Sequence, residues 1–259
     1  MAENQNNPGF HFTDNMVCFV NWIFDYMDAH SDEYVNYYEL QRKISASVAQ
    51  NPELAVSMKV IKGPADANGK WESKVRMVFP VLRYMGVVDY SDSQDKVQIK
   101  TLLTANSEPF KASARVYREA LLLKPSNERI VELGRSQFYS ALNTYIDAMI
   151  NSMRKYDKPF MYSVIVFLIQ NDYIDMDEFF VMAEFEKQQY VDGCKTVQEW
   201  TEKHRSGAQL PFSSPDVKNP WTYTMKMLEE FEVCFELNKK YYVRNKQRLI
   251  RLFGGASHV

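Results

Sequence analysis

Glycine is scarce in this chain, nine in 259 residues, and none stands in a phosphate-cradling pattern. The sequence contains no GxxxxGK[ST], GxGxxG, GxSxG or HExxH. That absence leaves out the common nucleotide-binding loops, the nucleophile elbow and the helical zinc-protease site. Cysteine is also sparse. Cys18, Cys194 and Cys234 are odd in number, far apart and set among apolar neighbours, which fits reduced thiols better than a disulfide framework. The four histidines, His11, His30, His204 and His258, are scattered, so no structural zinc site is read. Long apolar runs are missing too. The stretch "MVCFVNWIFDYMDAH" is interrupted by Asn21 and Asp25 and has no basic segment before it, so it reads as neither signal peptide nor membrane span. The expectation is a soluble cytoplasmic protein with no membrane contact. Nor is there an excess of one charge. A net charge of -2 excludes a uniformly basic surface, so an anionic partner has to be met by local basic patches.

What the chain does have is a globular composition, 46% hydrophobic and 25% charged, and a repeated plan. Val17, Val20, Ile23, Phe24 and Met27 recur at helical spacing behind a cap at Thr13 or Asp14, predicting a first helix over 14–30. Leu40, Ile44 and Val48 predict a second over 38–49. The segment 51–70, rich in Pro, Gly and Lys, reads as an irregular connection. Trp71, Val75, Val78, Phe79, Leu82 and Met85 form the stripe of a third helix, and 87–90 with 96–101 alternate as a hairpin. Then the plan returns. "EYVNYYEL" at 33–40 matches "DYIDMDEF" at 172–179, each after an apolar helix. Further on, Leu82 falls on Leu228, Met85 on Phe231, Val87 on Val233 and Val97 on Val243. Between the copies, 107–124 and 126–155 have helical periodicity and are separated by Pro125.

Helix, helix, helix and hairpin in about 90 residues is the winged-helix variant of the helix-turn-helix, whose third helix can enter the DNA major groove. The fold class expected is therefore mainly α with small β-hairpins: a winged-helix domain over 1–105, a helical connector over 106–155 and a second winged-helix domain over 156–259.

Helical rotation of about 100° per residue then selects the residues that face out. In the first copy these are Ser73, Arg76, Met77 and Tyr84, with Lys74 at the flank and Lys59, Lys62 and Lys70 just before, a basic helix N-terminus suited to phosphate. Arg76 has the side chain for the bidentate guanine contact. Lys96 stands on the first hairpin. In the second copy Thr222, Tyr223 and Lys226 face out, as does Glu230. The segment 239–251, "KKYYVRNKQRLIR", holds six basic residues and no acid, among them Lys239, Lys240, Arg244 and Lys246. Double-stranded DNA is the partner this pattern calls for. No residue is assigned a catalytic role. A metal-dependent nuclease would need clustered carboxylates and a lysine, and the two [DE]-x-K triplets, Glu72-Ser73-Lys74 and Asp216-Val217-Lys218, are what chance gives in a chain this charged. No metal and no cofactor is assigned.

The run "RMVFPVLRYMGVVD" at 76–89, followed by a hairpin and "LLTANSEPFKASARVYREALLL", resembles the DNA-recognition region of type IIS restriction endonucleases and related nicking enzymes. "KPFMYSVIVFLIQNDYIDMDEFFV" resembles the second recognition subdomain of that family. The resemblance covers 12 to about 251 and rests on apolar pattern and order. It implies tandem winged helices reading an asymmetric site, as the recognition module or subunit of a restriction system. No counterpart of the family's nuclease domain is read here, so cleavage would fall to a separate nuclease subunit, with a methyltransferase subunit as another partner. Two other functions fit the same plan: a winged-helix transcription regulator or plasmid or phage replication protein, and a scaffold that uses its winged helices on protein.

Overall fold

The computed structural model describes residues 11–51, 67–90, 95–123, 127–155, 160–188, 191–207 and 219–253, with side chains throughout except at 67–72 and 219. Among these residues lie eleven α-helices and two small antiparallel sheets. The described residues divide into two compact units, 11–155 and 160–253.

The first unit begins with α1 (Asp14–Ala29), where Thr13 accepts the Met16 N–H at 3.3 Å as N-cap. Val17, Phe19, Val20, Ile23, Phe24 and Met27 are buried along it. Strand β1 (Tyr34–Val35) leads into α2 (Tyr37–Ala49). The turn between them is a reciprocal cap: the Glu39 N–H donates to Asn36 Oδ1 at 2.8 Å, and the Asn36 N–H donates to Glu39 Oε2. This arrangement satisfies two amides that a helix start leaves orphaned.

Helix α3 (Ala67–Tyr84) starts four residues before the Trp71 expected from the apolar stripe. It carries Pro80, whose missing N–H leaves the Arg76 carbonyl without its intrahelical donor. The helix stops in a left-handed Gly86 (φ +66°), with the Val87 N–H bonded back to Leu82 O at 2.8 Å and the Gly86 N–H to Arg83 O at 2.9 Å. This is the two-bond C-cap that glycine favours.

Strand β2 (Val97–Gln98) pairs with β1, Tyr34 opposite Gln98 and Val35 opposite Val97. The 96–101 strand expected from alternation is shorter than that, because Ile99–Leu102 coils into a 3₁₀ turn. The expected pairing of 87–90 with 96–101 is not formed among the described residues: 97–98 pairs with β1, and 87–90 meets the returning chain beyond the turn, at a single bridge between Val88 and Leu103.

Residues 106–155 pack inside this unit. Helix α4 (Ser107–Leu122) lies on α1: buried Asn21 donates to the Ala114 carbonyl at 3.0 Å, and Lys111 reaches Asp28 at 2.9 Å. Arg115 and Arg118 pair with Asp25. Phe12, Phe24, Phe110 and Phe138 meet with ring centroids 5.5–6.1 Å apart. Helix α5 (Glu128–Asn143) crosses α4 at Gly134, where an added Cβ would lie 2.7 Å from the Ala120 Cβ. The single helix expected over 126–155 breaks at 144–145, and its second part, α6 (Ile146–Lys155), packs on α3.

The second unit repeats the order. Helix α7 (Phe160–Asn171) and β3 (Tyr173–Ile174) precede α8 (Met176–Phe185), capped reciprocally by Asp175 and Glu178 at 2.9 Å in both directions. An additional helix, α9 (Val197–Arg205), follows, with Trp200 fully buried beside Val181, Val191 and Cys194. Helix α10 (Asn219–Glu230) then runs into β4 (Cys234–Leu237) and β5 (Lys240–Val243), and α11 (Lys246–Leu252) follows. The sheet order is β3-β5-β4, with β5 in the centre. Asn238 and Lys239 form the two-residue turn of the hairpin, both at positive φ, as a type I′ turn requires. No helix among the described residues is long and apolar enough to cross a membrane.

Candidate nucleic-acid interface

In each unit the third core helix and the segment after it carry most of the residues selected from the sequence. On α3, Arg76 is exposed and has no charged partner among the described residues, while Ser73, Lys74 and Met77 are half-buried. Tyr84 departs from expectation. It is 8% exposed, because the last turn of α3 is enclosed: Val81, Leu82 and Met85 beside it are buried and α6 packs on the helix. It is therefore not an outward contact. Lys59 and Lys62 lie outside the described residues, and Lys70 is described only as backbone in the first turn of α3. Lys96, on the first hairpin, donates to Glu39 at 3.0 Å. That bond comes first among the causes that hold the Glu39 carboxyl below its ordinary value.

On α10, Thr222 is exposed and Tyr223 half-buried. Glu230, expected to face solvent, is 6% exposed, so it turns inward where the helix meets its hairpin. Lys226 is bracketed instead, donating to Glu229 at 2.8 Å and to Glu236 at 3.1 Å, with its ammonium 5.7 Å from the Tyr241 ring centroid. Burial alone would lower its pKa, but the two carboxylates outweigh burial and raise it. Two fixed counter-charges make Lys226 the least available cation of the set.

The hairpin is more open. Lys239, at the tip, is exposed and without a charged partner among the described residues. The Lys240 ammonium sits 4.4 Å from the Tyr173 ring centroid. Arg244 meets Glu232 at 3.5 Å and Lys246 meets Asp172 at 2.7 Å. Exposed pairs like these contribute about 0–1 kcal/mol, so a phosphate can replace the carboxylate at little cost. Arg76, Lys239 and Lys240 are thus open to an anion directly, and Lys96, Arg244 and Lys246 by exchange.

The sequence reading missed Arg205. Its guanidinium bonds the fully buried Glu178 carboxylate at 2.7 Å, donates to the Asn171 and Tyr173 carbonyls, and lies 3.9 Å from the Tyr173 ring centroid. Its signal was present upstream, since "TVQE" at 196–199 is a helix-start pattern and the Glu199 N–H does donate to Thr196 Oγ1 at 3.1 Å. Among the described residues no group of three or more His, Cys, Asp or Glu gathers as metal ligands would. Comparison with family models, with curated proteins and with solved structures found no match for the chain.

Proposed function

We propose that this protein binds double-stranded DNA through two winged-helix units, as the recognition module of a type IIS-like restriction system. The observation that carries the reading is the order helix, strand, helix, third core helix and returning strand among the described residues of both halves, with α9 added before the third core helix of the second, and the first strand pairing to the returning strand in each. In a winged helix that pairing holds the third helix and the wing on one side, ready for groove and backbone. Arg76 supplies a base contact from the third helix of the first unit. Lys239, Lys240, Arg244 and Lys246 supply phosphate contacts from the second wing and the turn after it.

Selection of bound sites from a random duplex pool, followed by equilibrium titration at several salt concentrations, tests this. Arg76→Ala is expected to cost about 1–3 kcal/mol on the selected site and much less on scrambled duplex. Lys239→Ala is expected to weaken all duplexes alike and lower the salt slope by about one unit. Unchanged affinity and slope for both variants would sink the assignment. An asymmetric selected site separates this reading from a dimeric regulator. The pairing of Lys96, Lys226, Arg244 and Lys246 to carboxylates favours the scaffold as second reading, and absence of duplex binding at low salt would select it.

A further inference from the structure

The three-stranded sheet of the second unit has two chemically distinct faces. Inward lie Ile174, Tyr241 and Cys234, all buried. Outward, Tyr173, Tyr242 and Phe235 stand directly opposite one another across β3, β5 and β4. Their rings form one row, Tyr173 to Tyr242 at 5.4 Å and Tyr242 to Phe235 at 5.8 Å with planes 26° apart. The next pair along the hairpin is Leu237, 51% exposed, and Lys240. Two cations lie over the Tyr173 ring itself, Lys240 at 4.4 Å and Arg205 at 3.9 Å from its centroid, and the three rings of the row are half-buried.

The acids nearby are turned away or matched. Glu236 accepts from Lys226 and from the Tyr241 hydroxyl on the other face. Asp172 and Glu232 hold Lys246 and Arg244, and Glu178 is buried on Arg205. Cross-strand aromatic pairs stabilise a sheet, and that accounts for the alignment. It does not account for an apolar, cationic face with Leu237 left open beside it. At the corresponding place in the first unit Tyr34 is 62% exposed opposite Gln98, so the sheet position itself does not require an aromatic partner.

We propose that this face is a stacking platform for single-stranded nucleic acid, with unpaired bases lying on Tyr242 and Phe235 beside the cation-covered Tyr173 ring and the backbone running along Lys239, Lys240 and Arg244. The chemistry selects a single strand over a duplex. A duplex hides its base faces in its own stack, whereas a single strand offers a π-face at every nucleotide, and cationic aromatic surfaces bind it without reading sequence. Neighbouring strands lie about 4.8 Å apart, so adjacent rings in the row are spaced to take successive bases. The site goes beyond duplex recognition and its aromatic residues take no part in that reading.

The test is fluorescence anisotropy of a labelled 20-residue thymidine oligomer with the full chain, beside the selected duplex. The parent protein is expected to bind the oligomer and to keep part of that binding at about 0.3 M salt, since stacking is not screened as phosphate contacts are. Tyr242→Phe is expected to bind within about twofold of the parent. Tyr242→Ile, which keeps a strand-favouring side chain, is expected to weaken the oligomer by about fivefold to a hundredfold and leave duplex affinity unchanged. Phe235→Leu, at the outer end of the row, gives a second reading if Tyr242→Ile fails to melt cooperatively. No binding of the oligomer by the parent overturns the platform, and so does equal binding by folded Tyr242→Ile or Phe235→Leu. Duplex binding without oligomer binding removes only this proposal. Oligomer binding without duplex binding removes only the duplex reading.

Discussion

Gly86 and Glu232 hold the same place in the two copies. Each follows its third helix by two residues, each is left-handed (φ +66° and +57°), and each precedes a buried valine whose N–H bonds back to a leucine carbonyl, Val87 to Leu82 and Val233 to Leu228. Glycine carries no Cβ penalty there, whereas a side chain costs about 1–2 kcal/mol in the left-handed region. The Glu232 contact with Arg244 at 3.5 Å is exposed and offsets little of that cost. Glu232→Gly is therefore expected to stabilise the second unit by up to about 1 kcal/mol, and Gly86→Ala to destabilise the first by about as much. Urea unfolding midpoints of the two variants, with unchanged m values, check both signs. The glycine in "YMGVV" is legible as a helix stop. The glutamate in "FEVCF" is not, because its conformation is imposed by burial of the valine after it.

The paired caps show how one local motif takes on different electrostatics in different surroundings. Glu39 and Glu178 both close a capping box, yet Glu39 is partly exposed and bonded to Lys96, while Glu178 is fully buried against Arg205. The Lys96 bond lowers the Glu39 carboxyl from the ordinary 4.5, and burial raises that of Glu178 in spite of Arg205. Their linkage to stability has opposite sign. Glu39 contributes stability that is present above 4.5 and lost as pH falls through its lower folded value. Glu178 contributes stability that is present below 4.5 and lost as pH rises through its higher one. In a carbon-detected NMR titration from pH 7 downward, Glu178 is expected to take up its proton before Glu39, and the reverse order would refute the burial argument. The caps were readable as the match between "EYVN" and "DYID". Helix α9 was passed over in spite of its "TVQE" start, because its apolar face amounts to little more than Trp200 in nine residues. Without that helix neither Arg205 nor the charge that holds Glu178 could be foreseen.

At the scale of the whole chain, 31 basic and 33 acidic residues nearly cancel, and the sequence pI is about 6.1. Self-repulsion is weakest near that pH, so association is favoured there. Light scattering of the protein at low salt is expected to peak near pH 6 and fall by pH 8, and a flat profile would contradict this. Neutrality of the whole also explains why the candidate interface was only partly legible. Residue type and helical rotation located Arg76 and Lys239, but not that Lys96 and Lys246 hold Glu39 and Asp172 from distant parts of the chain, nor that the hairpin brings Glu236 to Lys226 and Glu232 to Arg244.

The order of elements was legible from apolar periodicity, whereas the strand register was not. The Val97 to Val243 match fails in space, since Val35 faces Val97 whereas Ile174 faces Tyr241. The first hairpin is two residues longer between its bridge at Val88 and its pair at Val97, and four residues longer between Gln98 and Leu103, where the 3₁₀ turn sits. Both differences are even. A pleated strand alternates its faces with period two, so an even difference keeps the pairing register, yet it does not keep the burial: Val97, opposite buried Val35, is 38% exposed, whereas Tyr241, opposite Ile174, is 4% exposed. Register and enclosure are thus separate properties of these hairpins: parity decides which residues share a face, and what the rest of the unit lays over that face decides whether they leave water.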